Sequence, residues 1–325
     1  MELLKRLTEA ASPSGRENNV KNIIVNEAQK LGYEISFDAL GSVIVHRHGK
    51  GKKLMLAAHM DEIGIIAAYA DEHGFIRFGG IGGLEVKNLP SQRVRFENGV
   101  IGVIGADEEF EKKPEISKLY IDIGANGKNH ALSRISIGDT AVFVGDFYTD
   151  GDIIVSKAID DRAGCYILLK AMENVSESEN DLYFVFTAQE EVGTRGAKTA
   201  AYSIMPDYAI AVDVTDTGDI PSCEPSDVKL GSGAAIKALD RSVISDREVF
   251  SSLKELADKN SIPHSTEIML DGGTDTGAIA LTGGGVKAGA VSLPVRYIHS
   301  PSETAKKGDI DACVSLITAA CIKKW

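Results

Sequence analysis

Cysteine is scarce. Four occur in 325 residues, Cys165, Cys223, Cys313 and Cys321, and none belongs to a CxxC pair. That spacing excludes a disulfide-stapled scaffold and reads as buried thiols in a reducing compartment, so the cytoplasm is the expected location. No apolar run reaches the roughly 18–20 residues that span a bilayer. The opening stretch Met1-Glu2-Leu3-Leu4-Lys5-Arg6 lacks the apolar core of a signal peptide. Basic charge is in deficit, with 35 Lys and Arg against 47 Asp and Glu, a formal net charge of −12. This argues against nucleic acid and anionic membranes as partners. Aromatics make up only 6% of the chain and its one tryptophan is Trp325. A sugar cleft floored by aromatic platforms would find few residues to build it. The length is sufficient for one large α/β domain and a second module.

Taken in order, residues Glu2 to Ala10 have a helical pattern broken by Ser12-Pro13-Ser14-Gly15. Ser14 followed by Glu17 fits a capping box for a second helix running to about Leu31, with Gly32 as its stop. Val43–Val45 and Leu54–Ala58 are strands connected through Gly49-Lys50-Gly51-Lys52, and the second leads into His59-Met60-Asp61-Glu62. From Gly64 to about Asp152 the segments are short, glycine-rich and strand-like. Arg93–Phe96 and Val100–Val103 flank Asn98-Gly99 as a hairpin, and Gly124–His130 reads as a loop. This is the texture of a small β-module, barrel-like in character.

After Ile153 an α/β rhythm returns. Asp160-Asp161-Arg162 opens a helix through Met172, and Leu182–Phe186 is a buried strand. Arg195–Ile204 is a helix, Tyr208–Val212 a strand ending at Asp213, and Asp246 starts a helix to about Lys259. Glu267–Leu270 reads as a strand leading to Asp271-Gly272-Gly273-Thr274-Asp275. Ala288–Leu293 is another, and Asp309–Lys324 a closing helix with its charges placed as the helix dipole favours. The expected fold is α/β: a mixed sheet covered on both faces, a three-layer αβα domain formed by residues 1–63 and 153–325. Residues 64–152 form the inserted barrel-like domain.

Polar residues recur at equivalent places in this plan. His59, the pair Glu190-Glu191 and Asp213 follow strands, His299 lies a few residues beyond the last one, and Asp160 opens a helix. Open α/β sheets build their sites outside the carboxyl ends of strands. Two imidazoles and several carboxylates meeting there form a ligand set for two borderline divalent ions such as zinc. Each residue alone reads more simply as a satisfied core or loop group, and it is their number at element ends that carries the signal. A two-metal site needs one bridging carboxylate, with a histidine and a further carboxylate for each ion. Asp160 would bridge, His59 and Asp213 would complete one ion, and Glu191 and His299 the other. Glu190 stays free as the base, and Asp61 can take the second imidazole nitrogen of His59. His46 and His48, alternating along a strand end, read as solvated, His73 falls in a hairpin turn, and His264 lies in a surface loop.

Several segments together resemble the tetrahedral aminopeptidases, co-catalytic metallopeptidases of the glutamyl and leucyl type, some of whose members carry the names cellulase M or endoglucanase. The segments are Ser12–Gly15, His59–Glu62, Lys157–Cys165, Gln189–Gly193, Ala211–Thr215, Gly272–Asp275 and Arg296–Pro301, in order along essentially the whole chain. The resemblance implies a metallo-exopeptidase domain with these ligand roles, Glu190 as general acid/base, and two divalent ions per subunit, zinc foremost and cobalt as an alternative. The choice of Asp160 over Asp161 rests on it. It also implies that residues 64–152 form a dimerisation domain and that dimers build a hollow homododecamer. Thr194 and Thr276 depart from the expected pattern near the site and leave the preferred N-terminal residue open. Thr274 and Asp275 are the candidates for contacting substrate.

The reading is a two-metal aminopeptidase that removes N-terminal residues from short peptides, with a metal-bridging water that Glu190 deprotonates. A glycoside hydrolase is the alternative. It would need two carboxylates facing across a sugar bond and no use for His59 and His299. A metal-binding assembly protein without catalysis would leave Glu190 idle.

Overall fold

The computed structural model describes residues 1–221, 223 and 226–325. Helix α1 (Glu2–Glu9) buries Leu4, Leu7 and Thr8, and α2 (Asn18–Gln29) buries Val20, Ile24 and Ala28. Gly32 closes α2 with a φ of +73°, a left-handed conformation that glycine takes without strain. The expected capping box does not form. The Ser14 hydroxyl donates to Asp61 at 2.6 Å, and Glu17 accepts from the Gly15 N–H. Ser12 Oγ instead accepts from the Val20 N–H at 3.1 Å. A buried carboxylate offers Ser14 a charge-assisted bond, which is stronger than a neutral cap.

Three strands follow, β1 (Glu34–Phe37), β2 (Val43–Arg47) and β3 (Lys53–His59). Next come β4 (Gly64–Ala70), β5 (Ile76–Ile81), β6 (Arg93–Phe96), β7 (Ile101–Ala106), β8 (Leu119–Asp122), helix α3 (Lys128–Arg134) and β9 (Thr140–Phe143). Two short strands, β10 (Tyr148–Asp150) and β11 (Ile153–Ser156), precede α4 (Ile159–Asn174), β12 (Asp181–Thr187), α5 (Arg195–Ile204) and β13 (Tyr208–Asp216). The chain continues with β14 (Ala234–Leu239), α6 (Arg247–Lys259), β15 (His264–Ile268), α7 (Asp275–Ala280), β16 (Lys287–Val295), β17 (Glu303–Lys306) and α8 (Lys307–Ile322).

The large sheet has the order β1-β2-β12-β3-β13-β16-β14-β15. Its centre, β12-β3-β13-β16, is parallel, with antiparallel β1-β2 on one side. On the other side β14 runs antiparallel to β16 and parallel to β15. Central strands buried on both faces read as unbroken apolar runs, and β3 shows why. Leu54, Leu56 and Ala58 pack with residues of α1, α2, α4, α6 and α8, whereas Met55 and Ala57 pack with those of α5 and α7. The result is the mixed-sheet, three-layer architecture.

Strands β4-β5-β8-β7-β6-β9 close into a barrel with its own core, including Ile65, Phe78, Phe96, Ile104 and Phe143. The hairpin on Asn98-Gly99 is present as β6 and β7, with Gly99 at φ +89°. The stretch expected as a loop over 124–130 turns helical from Lys128, because Ala131 packs into the barrel core. Two other boundaries move. Strand β13 runs through Asp213 to Asp216, paired with β16 along its whole length. Strand β15 begins at His264, in register with β14, a strand whose pattern was not anticipated. Among the described residues no helix is long and apolar enough to cross a membrane.

Candidate metal centre

The parallel strands bring the polar ends together. His59 ends β3 in register with Thr187, which ends β12, so Glu190 and Glu191 leave the sheet beside His59. Asp213 lies on β13, on the other flank of β3, and His299 follows β16. Asp160, at the start of α4, completes the cluster.

Asp160 lies between the two imidazoles. Its Oδ1 is 3.0 Å from His59 Nε2 and its Oδ2 is 3.2 Å from His299 Nε2. Glu191 Oε1 is 3.3 Å from His299 Nε2, and Asp213 Oδ1 is 3.9 Å from His59 Nε2. His59, Asp160 and Glu191 offer ligand atoms within 4.8 Å of one another, and so do His59, Asp161 and Asp213. Asp161 is otherwise engaged. It accepts the backbone N–H of His59 at 3.1 Å and of Gly164 at 2.9 Å. A Cβ at position 164 would fall 2.3 Å from its oxygens, so glycine is required there for this approach. Glu190 lines the cleft and joins neither ligand-capable group.

Surrounding residues hold this arrangement. Asp61 accepts from the N–H of Glu190 at 2.9 Å and of Glu191 at 3.2 Å, besides the Ser14 hydroxyl. His59 Nδ1 is closer to the Asp61 carbonyl, at 3.2 Å, than to its carboxylate, at 3.5 Å. The Asp61 backbone thus fixes the ring, while its side chain fixes the loop bearing both glutamates. Glu303, buried on β17, accepts the N–H of Asp160 and of His299, both at 2.9 Å. Sequence reasoning missed Glu303. Its signal was slight, a lone acid in a short strand whose pairing with β11 sets Glu303 opposite Ser156.

Burial and mutual charge set the electrostatics of the cluster. Burial pushes Glu190, Glu191 and Asp161 up from the carboxylate range. Asp213 rises to about 8, through burial and then the Asp160 charge, against the pull of His59. Burial alone would lower the histidines, yet Asp160 and Asp61 raise His59, and Asp160 and Glu191 raise His299 to about 12. Burial opposes ionisation of Asp160, but the His299 and His59 imidazoles beside it hold it below the usual range. Glu191 Oε1 is buried and, despite its 3.3 Å approach to His299, is not aligned to accept a hydrogen bond from any group. A cluster this acidic, with an orphaned oxygen aimed inward, fits divalent cations.

A cleft of about 580 Å³ opens over the cluster, lined by Glu190, Asp216, Met269 and Thr274 among others. The barrel forms part of its wall. At Gly82, φ +78°, a Cβ would meet Glu191 Oε2 at 2.8 Å, and at Gly83 it would meet the His299 ring at 3.1 Å. Thr274 caps α7 by accepting the Thr276 N–H and borders the cleft. Asp275 does not reach the lining. It is buried below, where its Oδ2 accepts the Thr187 hydroxyl at 2.5 Å, and burial raises it to about 6.

Residues 41–316 match the family model described as M42 glutamyl aminopeptidase. An Acetivibrio thermocellus protein whose name places it among aminopeptidases is 50% identical over 321 residues, covering 98% of this chain and 97% of the relative. The structure of an aminopeptidase from the archaeon Desulfurococcus kamchatkensis superposes with a TM-score of 0.94 at 39% identity, covering 98% of this chain and 93% of that one. A Pyrococcus horikoshii TET1 peptidase, described as able to assemble into a tetrahedron or a large octahedral shell, superposes with a TM-score of 0.89 at 34% identity over 99% of both chains. With the match running through every element that builds the centre, this chain belongs to the M42 glutamyl aminopeptidase family and is a peptidase.

Proposed function

We propose that the chain is a two-metal aminopeptidase that trims short peptides from their N-terminus. His59 and Asp213 would hold one ion, Glu191 and His299 the other, and Asp160 both. The observation that carries this is the Asp160 carboxylate, with one oxygen 3.0 Å from His59 Nε2 and the other 3.2 Å from His299 Nε2. Histidine and carboxylate donors suit zinc, with cobalt as a workable substitute. When bound, such ions supply Lewis acidity toward water and toward a peptide carbonyl.

The protein's own residues do the rest. Glu190 takes a proton from the attacking water on its carboxylate and returns it to the departing amine, so one side chain acts first as base and then as acid. Asp61 and Glu303 keep the ligands and Glu190 oriented through backbone N–H groups. Thr274, at the cleft border, is proposed to contact the substrate, with Asp275 supporting it from beneath the lining.

Self-association through residues 64–152 is part of the proposal. The barrel exposes Ile66, Tyr69, Ile101 and Val103, large apolar groups that a partner subunit would cover. The TET1 peptidase's shells, and a similar structure described as a dodecamer, support a closed assembly, here a homododecamer with the sites facing an enclosed space. The four free thiols support the cytoplasm as location.

The test uses the full-length chain stripped with a chelator. Amino-acid release from short peptides should stop, and should return on adding zinc or cobalt. A folded protein with an accessible N-terminus should not be trimmed. Undiminished release after complete metal removal would overturn the proposal.

A further inference from the structure

A second group of ligand-type side chains lies outside this centre. His46 and His48 stand two residues apart on and just beyond β2, so they share one face of the sheet. Glu34 on β1 is paired directly with His46. Ligand atoms of Glu34, His46 and His48 all lie within 4.8 Å of one another. The two rings sit 3.9 Å apart, centroid to centroid. On the other flank, Asp181 of β12 meets His46 Nε2 at 2.8 Å, and Tyr183 stacks on the His46 ring at 4.1 Å.

We propose that Glu34, His46 and His48 bind a further divalent ion of the imidazole-preferring class, with zinc, nickel and copper(II) favoured over magnesium or calcium. Three features carry it. The first is the composition, two imidazoles and one carboxylate, which is a donor set for a tetrahedral ion with one open position. The second is preorganisation. Asp181 occupies one ring nitrogen of His46 and Tyr183 braces the ring, as partners do for metal-ligating histidines, leaving Nδ1 to bind. The third is access. His48 and Glu34 are exposed, with side chains 72% and 63% accessible, and are free to close on an ion by small rotations.

The site is separate from the catalytic cluster. It sits where β12 begins, at Asp181, whereas the cluster sits beyond Thr187, where β12 ends. Six residues of strand amount to about 20 Å. A bound ion would tie the edge strand β1 to β2 and thereby stabilise the folded state, because the unfolded chain does not hold the ligands together. Without an ion, His46 is hydrogen-bonded to Asp181 and His48 to Glu34.

The experiment compares the full-length wild type with His48→Ala and Glu34→Gln. Each is stripped with a chelator and then dialysed against micromolar zinc. Elemental analysis should find one zinc fewer per chain in each variant than in the wild type. Zinc should raise the unfolding temperature less in the variants, while peptide trimming and the metal-free unfolding temperature stay at wild-type values. Equal zinc per chain in all three proteins would show that the residues only hydrogen-bond to one another and would overturn the proposal.

Discussion

Asp61 ties the centre together although it belongs to neither ligand-capable group. Its carboxylate accepts three hydrogen bonds, two of them from the N–H groups of Glu190 and Glu191. These bonds decide where a proposed base and a proposed ligand emerge from the same strand end. Asp61→Ala would leave both amides without their acceptor. We expect metal affinity or turnover to fall by about 10–100-fold, the usual cost of losing a group that orients ligands. Zinc titration alongside steady-state kinetics reads this, and a variant equal to the wild type in both would show that the loop holds itself. Asp61 was legible in the sequence as a partner of His59. Its larger role was not, because the Glu190 and Glu191 amides reach it from residues about 130 positions away in the chain.

At the scale of elements, α4 does more than open with Asp160. Its fully buried Arg162 donates to the carbonyls of Met60, Ala10, Ser12 and Leu7 and to the Glu62 carboxylate. One guanidinium therefore fastens α1, the segment before α2 and the end of β3 to α4. Arg162→Met removes these bonds and leaves Glu62 with Lys157 as its remaining cation. Breaking such a buried pair costs about 3–5 kcal/mol, so the denaturation midpoint should fall sharply. A change of under about 1 kcal/mol would contradict this role. Most elements around the site were readable, since β3, β12, β13, β16, α4 and α5 show apolar runs or clear start signals. Strands β1, β14 and β17 were not, because they are short or lean on partners distant in sequence. The Ser14 cap failed for a related reason. Local pattern predicts a helix end, and only the tertiary fold brings Asp61 to the hydroxyl.

For the whole molecule, the exposed apolar residues of the barrel point to contact with other copies. Ile101 and Val103 alternate outward along β7, with relative exposures of 45% and 43%. Replacing both with Glu would place charge in the proposed interface. Light scattering should then report a much smaller particle, with the fold unchanged by circular dichroism. Assembly at the wild-type mass would place the contact elsewhere. The barrel also borders the cleft, where a Cβ at Gly82 would meet Glu191 and one at Gly83 would meet the His299 ring.

The two adjacent glutamates are proposed to do different work, and metal content measured beside kinetics separates their roles. Glu190→Gln preserves shape and removes basicity. Metal content should stay near two ions per chain at the paired centre, turnover should fall by about 10²–10⁴-fold, and added metal should not restore it. Glu191→Ala should lose metal at the His299 side, and excess metal should restore part of the activity. Loss of metal from Glu190→Gln with both ions kept in Glu191→Ala would reverse the two roles, and full activity in both variants would place the paired centre elsewhere.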